Sequence, residues 1–329
     1  LEAAEAICAL DGAPGGGADV LDGVASLLNN SLLVPDEASE GEQPRFRMLE
    51  TIREYALERL REHGDEAAVR RRHGLYYAGT IVEELWDGLY SNQALTWLEW
   101  LETEHDNVRA ALDWTQTDPE GIEMGPRLLE NLSWFWYRRG YVSEGLAWAE
   151  RVLASPAALE GTPGRAVALG HGALLTMWQG ELSRALRMME ESTATWQRLE
   201  IAQGLGFAKM TAGIVLVNLG RDEDAYPLLV EAVATTQEMG SQYFYAITQV
   251  HLANVALGLG KLDEAQALLE EAVPLSRQIG DEWLLSFGLN NLGEVARVRG
   301  DYERARRHYE ESEALLRVAG DKGDLARLV

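Results

Sequence analysis

The chain has 329 residues, 47% hydrophobic, 8% aromatic and 25% charged, which excludes a disordered polymer and allows two or three ordinary domains or one long solenoid. Its 29 basic against 53 acidic residues give a net charge of −24, a field that repels nucleic-acid phosphates and anionic lipid heads and favours a basic or neutral partner, or a basic domain elsewhere in the polypeptide. A single cysteine, Cys8, excludes an intrachain disulfide and suits a cytoplasmic protein, and no run of 18 apolar residues suggests a membrane span.

The chain starts at Leu1 on a helical pattern, LEAAEAICAL, and GDLARLV stops inside another, so a piece of a longer protein is expected. GAPGGGAD (Gly12–Asp19) has glycines but no following Lys and Ser or Thr, and reads as a loop, not a phosphate cradle. VLDGVASLLNNSLLV predicts an amphipathic helix stopped at Asn29-Asn30-Ser31. LLVPDEASEGEQPRFRML predicts two short strands around a polar hairpin, and LETIREYALERLREHG a helix closed by Gly64. Helix, helix, hairpin, helix is the order of a winged helix without its first elements, predicted here over residues 1–74. Yet Leu1–Pro44 holds nine acidic residues and no Lys or Arg, and the recognition helix near Val20–Leu28 carries Asp22. DNA affinity comes largely from neutralising phosphates, so no direct DNA contact is expected.

RRRHGLYY supplies the basic cluster Arg70, Arg71 and Arg72. It is either a solvated helix face paired to acids such as Glu66, or a contact to an acidic surface or a nucleotide phosphate outside this chain. A helical arm is predicted over residues 75–125, with Trp97 and Trp114 as its candidate contact residues. From there glycine recurs every 40 residues, at Gly140, Gly180, Gly220, Gly260 and Gly300. Seven residues before it stand Ala173, Gly213, Ala253 and Gly293; five after, Gly145, Ala185, Ala225, Ala265 and Ala305; twelve after, Val152, Ser192, Ala232, Ala272 and Ser312. Mostly small residues at fixed places let antiparallel helices approach, and the ladder glycine ends the first helix of each pair in a left-handed conformation. Gly240, Gly280 and Gly320 are expected to end the second helix, and Pro274 to kink one. Trp134, Trp136 and Trp148 crowd the first pair, as if to seal an end of the stack.

NLGEVARVRGDYERARRHYEES (Asn291–Ser312) resembles a tetratricopeptide repeat, with a period of 40 instead of the usual ~34 residues. The fold class expected is an all-α solenoid of 40-residue helix pairs over residues 126–329, preceded by a small partial winged-helix domain with a β-hairpin. PRFRMLETIREYALERLREHGDEAAVRRRHGLYY and WLEWLETEHDNVRAALDW resemble the region after the nucleotide-binding core of STAND signal-transduction ATPases, in particular large LuxR- and AfsR-like regulators. The resemblance covers nearly the whole chain. It implies a core upstream of Leu1 that holds ATP or ADP and Mg, with no cofactor in this segment. It also implies a resting ADP-bound form, and an inducer on the arm or repeats that favours an open, ATP-bound, oligomerising one.

No catalytic or metal site is legible. There is no G-x-S-x-G elbow and no Cys-His pairing, and the six histidines show no i, i+4 spacing. The concave stripe, 13, 10, 6 and 3 residues before each ladder glycine, gives Phe207, Met210, Ile214 and Val217; Ile247, Val250, Asn254 and Leu257; and Phe287, Asn290, Glu294 and Arg297. These residues either line a groove for a peptide, protein or small molecule, or pack neighbouring first helices together. Two other functions stay open: a tetratricopeptide interaction scaffold with no ATPase, and part of a transcription factor whose DNA-binding domain lies outside this segment.

Overall fold

A computed structural model describes residues 1–8, 16–35 and 44–319. The front segment comprises α1 (Glu2–Cys8), α2 (Gly16–Asn29), the strands β1 (Val34–Pro35) and β2 (Phe46–Arg47), and α3 (Glu50–His63). The strands pair antiparallel, Val34 opposite Arg47 and Pro35 opposite Phe46. The first half of the GAPGGGAD stretch and the hairpin tip lie outside the described residues, as does Gly320, while the second half of that stretch, Gly16–Asp19, is not the expected loop but the first turn of α2. Ser31 takes a left-handed φ of 57° where α2 stops, and Gly64 does so at 83° after α3.

The arm follows as α4 (Glu66–Glu83), α5 (Leu85–Leu89), α6 (Ala94–Thr103) and α7 (His105–Trp114). It joins the front segment through a buried carboxylate. Glu104, 7% exposed, accepts from Tyr77 Oη at 3.0 Å and Asn107 Nδ2 at 2.6 Å, and pairs with Arg45 beside β2. Burial alone would raise its pKa; the Arg45, Asn107 and Tyr77 hydrogen bonds prevail and hold it below the ordinary carboxylate value.

Five helix pairs then stack: α8 (Pro119–Arg139) with α9 (Val142–Leu153), α10 (Pro163–Trp178) with α11 (Leu182–Leu199), α12 (Ala202–Asn218) with α13 (Asp222–Glu238), α14 (Gln242–Gly258) with α15 (Leu262–Ile279), and α16 (Glu282–Val298) with α17 (Tyr302–Ala319). The first helix of each pair is called A, the second B. All five ladder glycines have φ between 72° and 90°. Each closes its A helix in the same way. At Gly220, for example, its own N–H donates to Val217 O at 2.8 Å and that of Arg221 to Leu216 O at 2.9 Å. This double bond pattern satisfies carbonyls that a helix end leaves unpaired. Gly240 and Gly280 turn the B helices at φ 72° and 80°, while Glu200 fills the equivalent place at 56° without being glycine. Helix α15 continues through Pro274 without interruption.

The small residues do what their spacing predicts. Ala185, Ala225 and Ala265 are fully buried, and a Cβ on Gly213 would lie 2.6 Å from Leu229 Cγ of the paired helix. The core is a chain of neighbouring apolar clusters. One joins the arm to the first pair, one fills the middle, and one runs from Met210 to Val295. The aromatic-rich first pair does not seal an end, because the arm continues the stack there. Trp136 is fully buried beside Gly145 and shares a cluster with Ile81 and Leu98 of the arm.

A candidate ligand cavity

Five A helices put one apolar face toward their B partners and a second toward a common interior. Between them lies a cavity of about 360 Å3. Its wall contains Phe207, Met210, Ile214 and Val217 from α12, Ile247 and Asn254 from α14, and Phe287 and Asn290 from α16. The expected stripe is thus brought together over three helices, with four exceptions, of which Leu257 of α14 is simply off the wall. Val250 is fully buried in the core, and its carbonyl accepts from Asn291 Nδ2 of α16 at 3.4 Å. Glu294 and Arg297 are off the wall, paired with each other at 2.7 Å, with Glu294 also bonded to Tyr309.

The lining drifts along the stack. On α8 and α10 the wall uses C-terminal positions, Trp134, Tyr137, Leu174 and Trp178. On α14 and α16 it reaches back to N-terminal ones, Tyr243, Phe244 and Trp283. A stripe at constant offset therefore captures the middle helix and runs off the wall at the last. The rings of Trp134 and Trp283 meet edge to face at 4.6 Å, so the first and last A helices touch across the interior. The arm closes another side: Trp86 stacks on Phe244 at 5.6 Å, and Tyr90 lies 4.6 Å from Tyr243. Tyr90 is part of the wall although more than 100 residues separate it from Phe207.

Two histidines complete the wall. The His171 Nδ1 and Ser133 Oγ lie 2.9 Å apart, and its ring stacks on Phe207 at 4.5 Å. His251 and Phe287 repeat that pair 80 residues later, with ring centroids 5.1 Å apart. Burial lowers the pKa to about 3 for His171 and about 4 for His251, so both are neutral imidazoles at physiological pH. Near His171, Glu130 is pushed up to about 7 by burial, against the weaker pull of Arg127. The shared offset of the two histidines, nine residues before the ladder glycine, was the signal available for them in the sequence. Nothing local marked Tyr90.

The other candidate residues lie away from the cavity wall. Trp114 is buried 6% exposed, slotted between Gly74 of α4 and Gly121 of α8, and Trp97 packs over Gly88. Both serve the arm's packing. Arg70 pairs with Glu66 at 2.9 Å, Arg71 with Glu120, and Arg72 Nε donates to Ile7 O at 2.7 Å.

These features define a tetratricopeptide-like helical repeat region with an internal cavity. Residues 244–317 match the tetratricopeptide repeat family, and residues 184–243 the family of anaphase-promoting complex subunit 5. The chain is 35% identical over 162 residues to proteins of Mycobacterium tuberculosis and Mycobacterium bovis described as HTH-type transcriptional regulators. The match covers 48% of this chain and 18% of theirs, so the chain spans under a fifth of the relatives' length. Solved structures of similar fold include the Rap protein complexed with competence and sporulation factor, at 13% identity and TM-score 0.59 over 83% of this chain and 77% of that one. NprR in complex with its cognate peptide NprX aligns at 13% identity and TM-score 0.57, over 94% of this chain and 83% of that one.

Proposed function

We propose that this chain is the sensor portion of a larger regulator of the STAND type, in which an inducer entering the cavity alters how the arm meets an upstream nucleotide-binding core. The observation that carries the reading is the cavity itself: A helices of successive pairs build it, and the arm's Tyr90 closes it. A ligand there touches repeats and arm together, so its binding energy can act on their relative placement. Shifting such a switch from 1:99 to 99:1 needs about 5.5 kcal/mol of differential affinity. The front segment would pack on the core as a partial winged helix, with Arg70 and Arg71, about half exposed, facing it. The two structures of similar fold named above are complexes, one with competence and sporulation factor and one with a cognate peptide, which supports a ligand-binding role for this architecture.

The gene upstream of Leu1 tests the coupling. A G-x-x-x-x-G-K-[ST] phosphate loop within a few hundred residues is expected; further helix pairs with no such loop would leave a scaffold and overturn the switch. In the whole regulator, Phe207→Ala, Ile247→Ala and Phe287→Ala are each expected to weaken the response of nucleotide turnover to cell extract containing the inducer, by roughly tenfold. An undiminished response in all three moves the inducer off the cavity.

A further inference from the structure

The wall has a chemical character that narrows its ligand. Among the described residues no Asp, Glu, Lys or Arg lines the cavity, although the chain as a whole carries −24. Polar groups on the wall that meet no hydrogen-bond partner among the described residues include the side chains of His251, Asn254 and Asn290, the hydroxyls of Tyr90 and Tyr243, and the indole N–H of Trp134. We infer that the cavity takes an uncharged, flat organic molecule with an aromatic body and a few hydrogen-bonding groups. The inference rests on the cavity being the sensor's ligand site and specifies the ligand.

An ion in this space would lose its hydration with no counter-charge on the wall to replace it. An anion would also approach against the field of the whole protein. A cation would be drawn by that field and by ring faces, but rings of the wall are engaged with one another. Tyr137 stacks on Trp178 at 4.0 Å, and Trp134 meets Trp283. A free peptide brings charged termini as well as a backbone donor and acceptor at nearly every residue, and this uncharged wall meets those termini with no counter-charge. A flat neutral molecule needs only aromatic faces and one or two polar anchors. The volume, about 360 Å3, sits in the lower part of the range of roughly 300–1,000 Å3 found for small-molecule sites. Both histidines are neutral, so the imidazole of His251 can accept a hydrogen bond.

Three fluorescent probes of one ring system separate the charge classes on the full 329-residue chain. They are neutral N-phenyl-1-naphthylamine, its anionic 8-sulfonate, and a trimethylammonium-substituted cation. The neutral probe is expected to bind saturably at one site, at least about tenfold tighter than either ion. His251→Phe, which keeps the shape and removes the acceptor, should weaken it about three- to tenfold. Ile214→Trp should fill the cavity and abolish binding; Asn254→Trp, on another helix, replaces it if circular dichroism shows early melting. Equal or tighter binding of either ion overturns the charge argument and leaves the sensor role standing. Neutral-probe binding that survives both filling variants, or no saturable binding at all, overturns the inference outright. The inducer response of the whole regulator reads the sensor role independently.

Discussion

Around His171 two titratable groups answer burial in opposite senses. Its imidazole, 4% exposed, is held at about 3, while Glu130, with Oε1 4.0 Å from Nε2, is raised to about 7. For the histidine, the unfolded chain takes up a proton as pH falls below about 6.5, and the folded chain does not until about pH 3. Stability tied to neutral His171 is therefore complete above pH 6.5 and is lost as pH falls toward 3. For the carboxyl, the unfolded chain releases its proton near 4.5 and the folded chain only near 7, so rising pH costs stability across that interval. Glu130→Gln removes this second effect. It is expected to stabilise the protein by on the order of 1–2 kcal/mol at pH 8, after allowing for partial solvent screening, and by almost nothing below pH 4.5. Denaturant unfolding at both pH values checks it; a gain independent of pH would contradict the buried-carboxyl account. The offset of the histidines was legible in the sequence, but their neutrality was not, because it depends on how much protein surrounds each ring.

At the scale of the helix pair, two kinds of glycine act differently. Gly220 closes α12 at φ 72° with nothing within 4 Å of where a Cβ would stand. Gly213 has ordinary helical geometry but sits against Leu229 of α13, itself fully buried. Gly220→Ala should cost about 1 kcal/mol through left-handed strain alone. Gly213→Ala should cost about 1–3 kcal/mol, since the fully buried Leu229 has little room to move. Thermal unfolding of both variants measures the difference, and a Gly213→Ala chain as stable as wild type would sink the close-packing role of that position. Both glycines were marked by period alone. Glu200 was not, because the turn after α11 accepts a left-handed non-glycine residue and so left no compositional trace.

Over the whole molecule, the packing of successive A helices and the return of the arm convert five similar pairs into one partly open site. The edge-to-face contact of Trp134 with Trp283 and the stack of Trp86 on Phe244 hold that closure. Trp283→Ala removes one side of the first contact and part of the wall. It should weaken binding of the neutral naphthylamine by roughly tenfold and raise the radius of gyration in small-angle scattering, with the helical content kept. An unchanged radius together with unchanged affinity would mean that the two tryptophans do not maintain the closure.

The amino-acid sequence by itself determined the helix pairs, the 40-residue period, the glycine turns that close the A helices and the residues through which paired helices approach. These depend on neighbours a few residues apart or on one repeat length, so their pattern is written locally. Only the tertiary structure decided which residues of each A helix face the cavity. That depends on how successive pairs are placed on one another, which carries the wall from Trp178 at the end of α10 to Trp283 at the start of α16. It also decided that the arm's Tyr90 belongs to the wall, because packing between distant segments is set by shape and exclusion of water, not by spacing along the chain.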